Sequence, residues 1–229
     1  MVYAVILAGG LGKRMNSETL KQFALVGDTP IVHFSVKAFC ENEKVDRAIV
    51  VAFDVEAMQK CLKPVMCDKI SVVKGGESRS KSLECGMLEA IRLGATGDDL
   101  IVSHDAARPF VTKRLIDDAI ALAEEYGASS AAIKMSDTLA LTDGINLTGL
   151  VDRSRVAALQ TPQCSKLKYM QKAFLEAGGG TDLYSLLMQA GIPVRIFDGN
   201  RDNIKITYYD DLLYANCIYK SKKDGELGR

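Results

Sequence analysis

Apolar runs and amphipathic stretches alternate along most of the chain. Val2–Leu7, Arg47–Phe53, Lys69–Val73, Leu100–Ser103, Ser129–Lys134 and Pro193–Phe197 are short apolar runs, which predicts strands. Between them, Pro30–Cys40, Val55–Leu62, Ser80–Leu93, Lys113–Tyr126 and Lys166–Ala177 carry apolar residues at helical spacing. Pro30 suits the first turn of a helix, and glycines follow Leu93 and Tyr126, where they would close helices. This alternation implies an α/β fold, a Rossmann-like three-layer sandwich with a mostly parallel sheet. Such sheets bind ligands at the carboxyl ends of their strands.

One segment departs from the alternation. From Thr138 to Val151, alternating residues flank Asp143-Gly144, which predicts a β-hairpin. An isolated two-stranded ribbon is barely stable in water. A protruding β-arm at about residues 137–158, covered by a second copy of the chain, is therefore expected, the alternative being a hairpin folded back on its own chain. The polar run from Ser221 is expected to fray. No internal repeat or linker interrupts the sequence, so residues 1–229 read as one domain.

Composition narrows the function. Lys plus Arg and Asp plus Glu balance at 29 each, so no general affinity for nucleic acid or for an anionic membrane surface is expected. No apolar segment is long enough to span a bilayer, and the N-terminus lacks the pattern of a secretory signal. Cys40, Cys61, Cys67, Cys85, Cys164 and Cys217 form no CxxC pair and lie near no histidine cluster, which argues against zinc. A reduced, cytoplasmic protein is expected, with Cys61 and Cys67 as candidates for exposed thiols.

The chemistry starts after the first strand, at Leu7-Ala8-Gly9-Gly10-Leu11-Gly12-Lys13-Arg14-Met15. A glycine turn after a strand lets the backbone approach a phosphate closely. Met15 stands where a dinucleotide fingerprint needs a small residue, and Lys13-Arg14 stand where a Walker A loop needs Lys followed by Ser or Thr. What remains is a loop delivering Arg14 and Lys21 to a polyphosphate, a placement suited to nucleotidyl transfer. Gly75-Gly76, Arg79 and Ser82 surround the start of a predicted helix and could face a base, a ribose or a phosphate. Asp105 ends a buried strand, where a carboxylate needs a partner. A divalent cation such as Mg²⁺ on nucleotide phosphates is one, and an ion pair with Arg108 is another. His104 reads as a structural hydrogen-bonder, because phosphoryl chemistry rests on positioning and charge. Arg153, Thr161, Thr181 and Lys205 sit in further polar clusters, Thr181 as a potential helix cap and Lys205 in an alternating, strand-like run.

In order, AGGLGKRM, KQF, GGESRSKSL, HDAARPF, SDT, VDR, QTPQ, TD and NIKIT resemble the polyol-phosphate cytidylyltransferases, a family that includes the 2-C-methyl-D-erythritol 4-phosphate and ribitol 5-phosphate enzymes. The resemblance runs from Val2 to about Asp211. It implies CTP bound along Leu7, Ala8, Gly9, Gly10, Leu11 and Gly12, with Gly75, Gly76, Arg79, Ser82 and Ala106 completing the nucleotide site. Arg14 and Lys21 match the pair that stabilises the transferring α-phosphate, and Lys205 would help neutralise the two anions as they meet. Asp105 matches the carboxylate near Mg²⁺ and substrate. Arg108, Thr138, Arg153, Thr161 and Thr181 match acceptor contacts, Thr138 and Arg153 serving the other subunit of a homodimer through the arm.

HDAARPF and ALQTPQ look like the methylerythritol enzymes. Leu139 replaces the lysine often found after the family's Asp-Thr, and Leu183-Tyr184 departs from its usual pattern, which places Tyr184 near the acceptor pocket as an expectation. Ribitol 5-phosphate is the alternative acceptor, and a non-catalytic nucleotide sensor is the alternative from another class.

Overall fold

The computed structural model describes residues 1–10, 20–176 and 183–225. Its first half runs β1 (Val2–Ala8), β2 (Leu25–Val26), β3 (Thr29–Pro30), α1 (Ile31–Cys40), β4 (Arg47–Ala52), α2 (Val55–Leu62), β5 (Ile70–Lys74), α3 (Arg79–Arg92) and β6 (Leu100–Asp105). There follow α4 (Lys113–Tyr126), β7 (Ala128–Lys134), β8 (Leu139–Thr142), β9 (Leu147–Val151), β10 (Ala157–Lys166), α5 (Leu167–Glu176), α6 (Leu183–Gln189), β11 (Arg195–Asp198) and α7 (Tyr209–Lys223).

Seven strands form one sheet in the order β11-β7-β10-β6-β1-β4-β5. The pairs of β1 with β4 and β6, of β4 with β5, and of β7 with β11 are parallel. Only β10 runs antiparallel, to β6 and β7. Side chains alternate across the sheet as the pleat requires. Ala4 and Ile6 of β1 pack under α1, α2 and α4, whereas Tyr3 and Val5 pack under α3, α5 and α6. The expected three-layer α/β sandwich is thus present. Gly86 lets α3 lie close to the sheet, since a Cβ there would come within 2.3 Å of the Val5 side chain.

Three local expectations need correction. The strand β10 was not expected, because it carries Gln160, Thr161, Pro162 and Gln163 where a buried strand usually has apolar residues. Its register shifts between Leu159 and Gln163, and that irregularity accommodates a proline with no N–H to donate. The alternating run around Lys205 is not a strand: Ile206 and Ile204 pack in a small cluster with Val26, Ile31 and Phe110, and Ile206 N–H donates to the Ala107 carbonyl. The polar run from Ser221 begins inside a helix, because α7 continues to Lys223, and residues 226–229 lie outside the described ones.

The hairpin forms as expected. β8 and β9 make a separate two-stranded sheet, with Gly144 at φ 101° and the Asp143 carboxylate accepting from the Ile145 and Asn146 N–H groups. No described helix is long and apolar enough to cross a membrane. All six cysteines are free thiols; Cys67 is exposed as expected, Cys61 is half-buried and accepts from or donates to His33, and Cys217 is also exposed.

Candidate active site

At the carboxyl ends of β1 and β6 the sheet opens into a cavity of ≈ 420 Å³. Its floor is Leu7, Ala8, Gly9 and Gly10 from the end of β1, and Asp105, Ala106 and Ala107 from the end of β6. The first turn of α3 closes one side with Arg79 and Ser82, and Lys21 and Lys205 enter from the other segments. Ser78 caps α3 by accepting from Lys81 N–H, which leaves the helix's positive end facing the cavity. A helix N-terminus, small-residue backbone and several cations together make a receptor for a polyanion.

Below it lies a second cavity of ≈ 300 Å³, lined by Arg79, Asp105, Arg108, Leu159, Gln160, Thr161, Gln163 and Lys205. Arg79, Asp105 and Lys205 line both cavities and form the wall between them. Arg79 Nε donates to Asp105 Oδ1 at 2.9 Å, and Lys205 Nζ lies 2.7 Å from Asp105 Oδ2. Burial alone would raise the Asp105 carboxyl. Arg79, then Lys205, then Arg108 outweigh it and hold the group well below the usual carboxylate range. Asp105 is therefore an anion with a cation on each oxygen, and the wall as a whole carries surplus positive charge.

Among the described residues no group of three or more His, Cys, Asp or Glu could hold a metal ion. Asp105 retains a lone pair on each oxygen, which fits a Mg²⁺ shared with phosphate oxygens, the donor set this ion favours. The fit is to a cation arriving with a nucleotide, not to one caged by protein alone.

A hydrogen-bond ring fixes the lower cavity. Arg108 Nη1 donates to the Asn203 carbonyl at 2.8 Å, and Asn203 Nδ2 donates to the Thr161 carbonyl at 2.8 Å. Thr161 Oγ1 accepts from Asp105 N–H and lies 3.0 Å from His104 Nδ1, while His104 Nε2 donates to the Arg108 carbonyl. Gln160 Nε2 also donates to the Asn200 carbonyl. Three chain segments, including the one bearing Lys205, are so tied together.

The structure therefore brings Leu7, Ala8, Gly9, Gly10, Lys21, Gly76, Arg79, Ser82, Asp105, Ala106 and Lys205 to the upper cavity, and Arg108 and Thr161 to the lower one. Gly75 lines neither: a Cβ there would meet Ser82 Oγ at 2.8 Å, so this glycine lets β5 and α3 pack together. Thr138 and Arg153 also line neither, being exposed at the ribbon, where Arg153 Nη1 donates to the Ser136 carbonyl. Leu11, Gly12, Arg14 and Thr181 lie outside the described residues. Tyr184 is not at the acceptor pocket: it is buried on the inner face of α6 and its hydroxyl donates to the Ser129 carbonyl. Gln22, Glu77, Ser78 and Thr207 above, and Gln160 and Gln163 below, are lining residues to which the sequence reading gave no role. The quoted motifs contain all of them, but only their place around the cavities singles them out.

The family model for 2-C-methyl-D-erythritol 4-phosphate cytidylyltransferase matches residues 2–221. The enzyme of that name from Geobacillus thermodenitrificans is 35% identical over 226 residues, covering 96% of this chain and 97% of its own. Among solved structures, the Francisella tularensis 2-C-methyl-D-erythritol 4-phosphate cytidylyltransferase superposes with a TM-score of 0.77 at 28% identity, covering 94% of this chain and 98% of that one. The 4-diphosphocytidyl-2C-methyl-D-erythritol synthase of Anaerococcus prevotii, at 24% identity, shares the fold with a TM-score of 0.79 over 96% of each chain.

Proposed function

Because the chain belongs to the 2-C-methyl-D-erythritol 4-phosphate cytidylyltransferase family, we infer that it transfers the cytidylyl group of CTP to 2-C-methyl-D-erythritol 4-phosphate, releasing pyrophosphate, in isoprenoid precursor biosynthesis. The observation that carries this reading is the shared wall of Arg79, Asp105 and Lys205 between two cavities. A triphosphate above and a phosphorylated polyol below would bring two anions together at that wall.

An oxygen of the acceptor phosphate attacks the α-phosphorus of CTP, a new P–O bond forms, and the bond to the β-phosphate oxygen breaks in line. The acceptor phosphate is already ionised near neutral pH, so no general base is needed. Catalysis is then positioning and charge neutralisation. Lys21 and Lys205 supply charge at the reacting phosphates, with Arg14 expected beside them. Arg108 and Thr161 face the acceptor, and Asp105 orients Arg79 and Lys205. Mg²⁺ or another divalent cation, when bound, neutralises part of the triphosphate charge, with Asp105 as its protein ligand.

The β8–β9 ribbon is read as the arm of a homodimer, carrying Thr138 and Arg153 to the other subunit's acceptor pocket. Its exposed Leu141, Ile145, Leu147 and Leu150 support this, since a two-stranded ribbon needs a covering surface. Free thiols and small phosphorylated substrates fit a cytoplasmic enzyme.

Incubation with CTP, UTP or ATP and with 2-C-methyl-D-erythritol 4-phosphate, ribitol 5-phosphate or 2-aminoethylphosphonate, followed by pyrophosphate release, tests the reading. The expected result is the highest kcat/KM for CTP with the methylerythritol phosphate. A higher value for ribitol 5-phosphate would reassign the acceptor, and CTP binding without pyrophosphate release would leave a sensor.

A further inference from the structure

His104 is fully buried beneath the wall between the cavities, its ring 5.2 Å from that of Phe39, and it lines neither cavity. Its two ring nitrogens face different kinds of partner. Nε2 lies 3.1 Å from the Arg108 carbonyl oxygen, which only accepts, so Nε2 must carry a proton. The single Ser35 hydroxyl proton of α1 is shared between that same carbonyl and the Ala106 carbonyl, each 3.3 Å away. Were the proton on Nδ1 alone, two lone pairs would oppose each other at 3.1 Å in a dry interior. Nδ1 of the neutral ring is therefore an acceptor.

The assignment propagates to Thr161. Its hydroxyl has one proton and two lone pairs. One lone pair takes the Asp105 N–H at 3.2 Å. With Nδ1 bare and 3.0 Å away, the proton points into the protein, toward His104. Thr161 lines the lower cavity, and its hydroxyl has only a single remaining lone pair left for an occupant. A phosphate dianion has only acceptors and makes no hydrogen bond to such a group, whereas a polyol hydroxyl donates to it.

We propose that His104 is a positioning residue of the acceptor site: as its Nε2–H tautomer it turns the Thr161 hydroxyl into a pure hydrogen-bond acceptor and holds the Asp105–Arg108 turn against β10. The lower cavity thereby reads a hydroxyl of the acceptor at Thr161 and leaves its phosphate to the cations Arg108 and Lys205. This rests on the cytidylyltransferase reading, but it concerns a residue that touches neither substrate.

Two variants divide the role. His104→Gln places an amide donor near the Nε2 position and keeps the bond to the Arg108 carbonyl, while freeing the Thr161 proton. His104→Asn keeps an acceptor near the Nδ1 position and gives up the Arg108 bond. His104→Gln should raise KM for 2-C-methyl-D-erythritol 4-phosphate about tenfold, the loss of one hydrogen bond's discrimination, whereas His104→Asn, which keeps the acceptor toward Thr161, should raise it less than about threefold, with KM for CTP within about twofold of wild type in both. A merely structural histidine would shift both constants together or neither, and either result overturns the proposal. Nitrogen NMR of the ¹⁵N-histidine-labelled wild-type protein tests it independently of variant folding. A pyridine-type Nδ1 and a pyrrole-type Nε2 are expected at His104, and the reverse pattern would overturn it. Wild-type protein that transfers no cytidylyl group to any acceptor would sink the enzymatic reading instead, while the tautomer could still be read.

Discussion

Replacing Asp105 by Asn keeps the size of the side chain and removes its charge. Arg79 Nε and Lys205 Nζ now sit 2.9 and 2.7 Å from separate carboxylate oxygens. An amide offers one oxygen and one NH₂ group, so whichever way it turns, one cation faces a donor. Breaking a fully buried ion pair costs about 3–5 kcal/mol. Here Lys205 is 36% and Arg79 24% exposed, so water recovers part of that, and about 2 kcal/mol is the reasonable figure. For a chain of this size that lowers the melting temperature by roughly 4–8 °C. The same surplus of cations should bind anions more readily, so inorganic pyrophosphate should restore more stability to the variant than to wild type. Thermal melts with and without pyrophosphate, alongside turnover with CTP, read both effects. A variant that melts at or above the wild-type temperature without added anion would refute the idea that Asp105 holds two cations in place.

Further outcomes follow from the same geometry. Burial lowers the His104 pKa to about 4, opposed by its bond to the Arg108 carbonyl and by Asp105. An unfolded histidine near 6.5 binds protons that the folded one refuses, so this contribution is complete above about pH 6.5 and is lost as pH falls toward 4; urea unfolding at pH 7.5 and 5 should differ by about 2 kcal/mol from this residue, a difference that His104→Gln removes. Lys21→Met and Lys205→Met should each lower kcat on the order of a hundredfold, by the usual effect of removing one transition-state charge, and Lys205→Met should also lower the melting temperature, because it takes one of the two cations from Asp105; unaltered turnover in steady-state assays would exclude the assigned role. Leu150→Asp on the exposed ribbon should leave the monomer folded but convert a dimer to monomer in sedimentation velocity, with activity falling alongside it. A wild-type protein that sediments as a monomer would remove the arm from the reading.

Much of the upper cavity was legible because its chemistry is local. The glycine turn follows the apolar run of β1 directly, and Asp105 ends the apolar run of β6, so pattern alone placed both at strand ends. The lower cavity was harder. Thr161 and Gln163 lie on a central strand whose polar residues and proline hide it from a periodicity test: Gln160 and Thr161 are buried among hydrogen-bond partners and not for hydrophobicity, and Gln163 is buried by its place between β6 and β7. Ile204 and Ile206 misled in the opposite sense: their alternation serves a corner of the core, with no free strand beside them to pair with. In α7, Leu212, Ala215, Ile218 and Tyr219 pack inward, but Tyr209, Leu213 and Tyr214 are exposed on the other faces, so the apolar stripe is blurred. The partners of Asp105 are far from it in sequence, and nothing local announced that both Arg79 and Lys205 would reach it.

The reversed direction of β10 has a lasting effect on how this protein could change. In a purely parallel sheet, contacts to small molecules come from connecting loops, which lengthen and shorten freely. Here Gln163 reaches the lower cavity from a rung of β10 paired on both sides, and Thr161 from the irregularity just before that rung. Altering which alcohol is accepted thus calls for exchanging side chains on a rigid rail, one at a time, since insertions there would displace every rung beyond them.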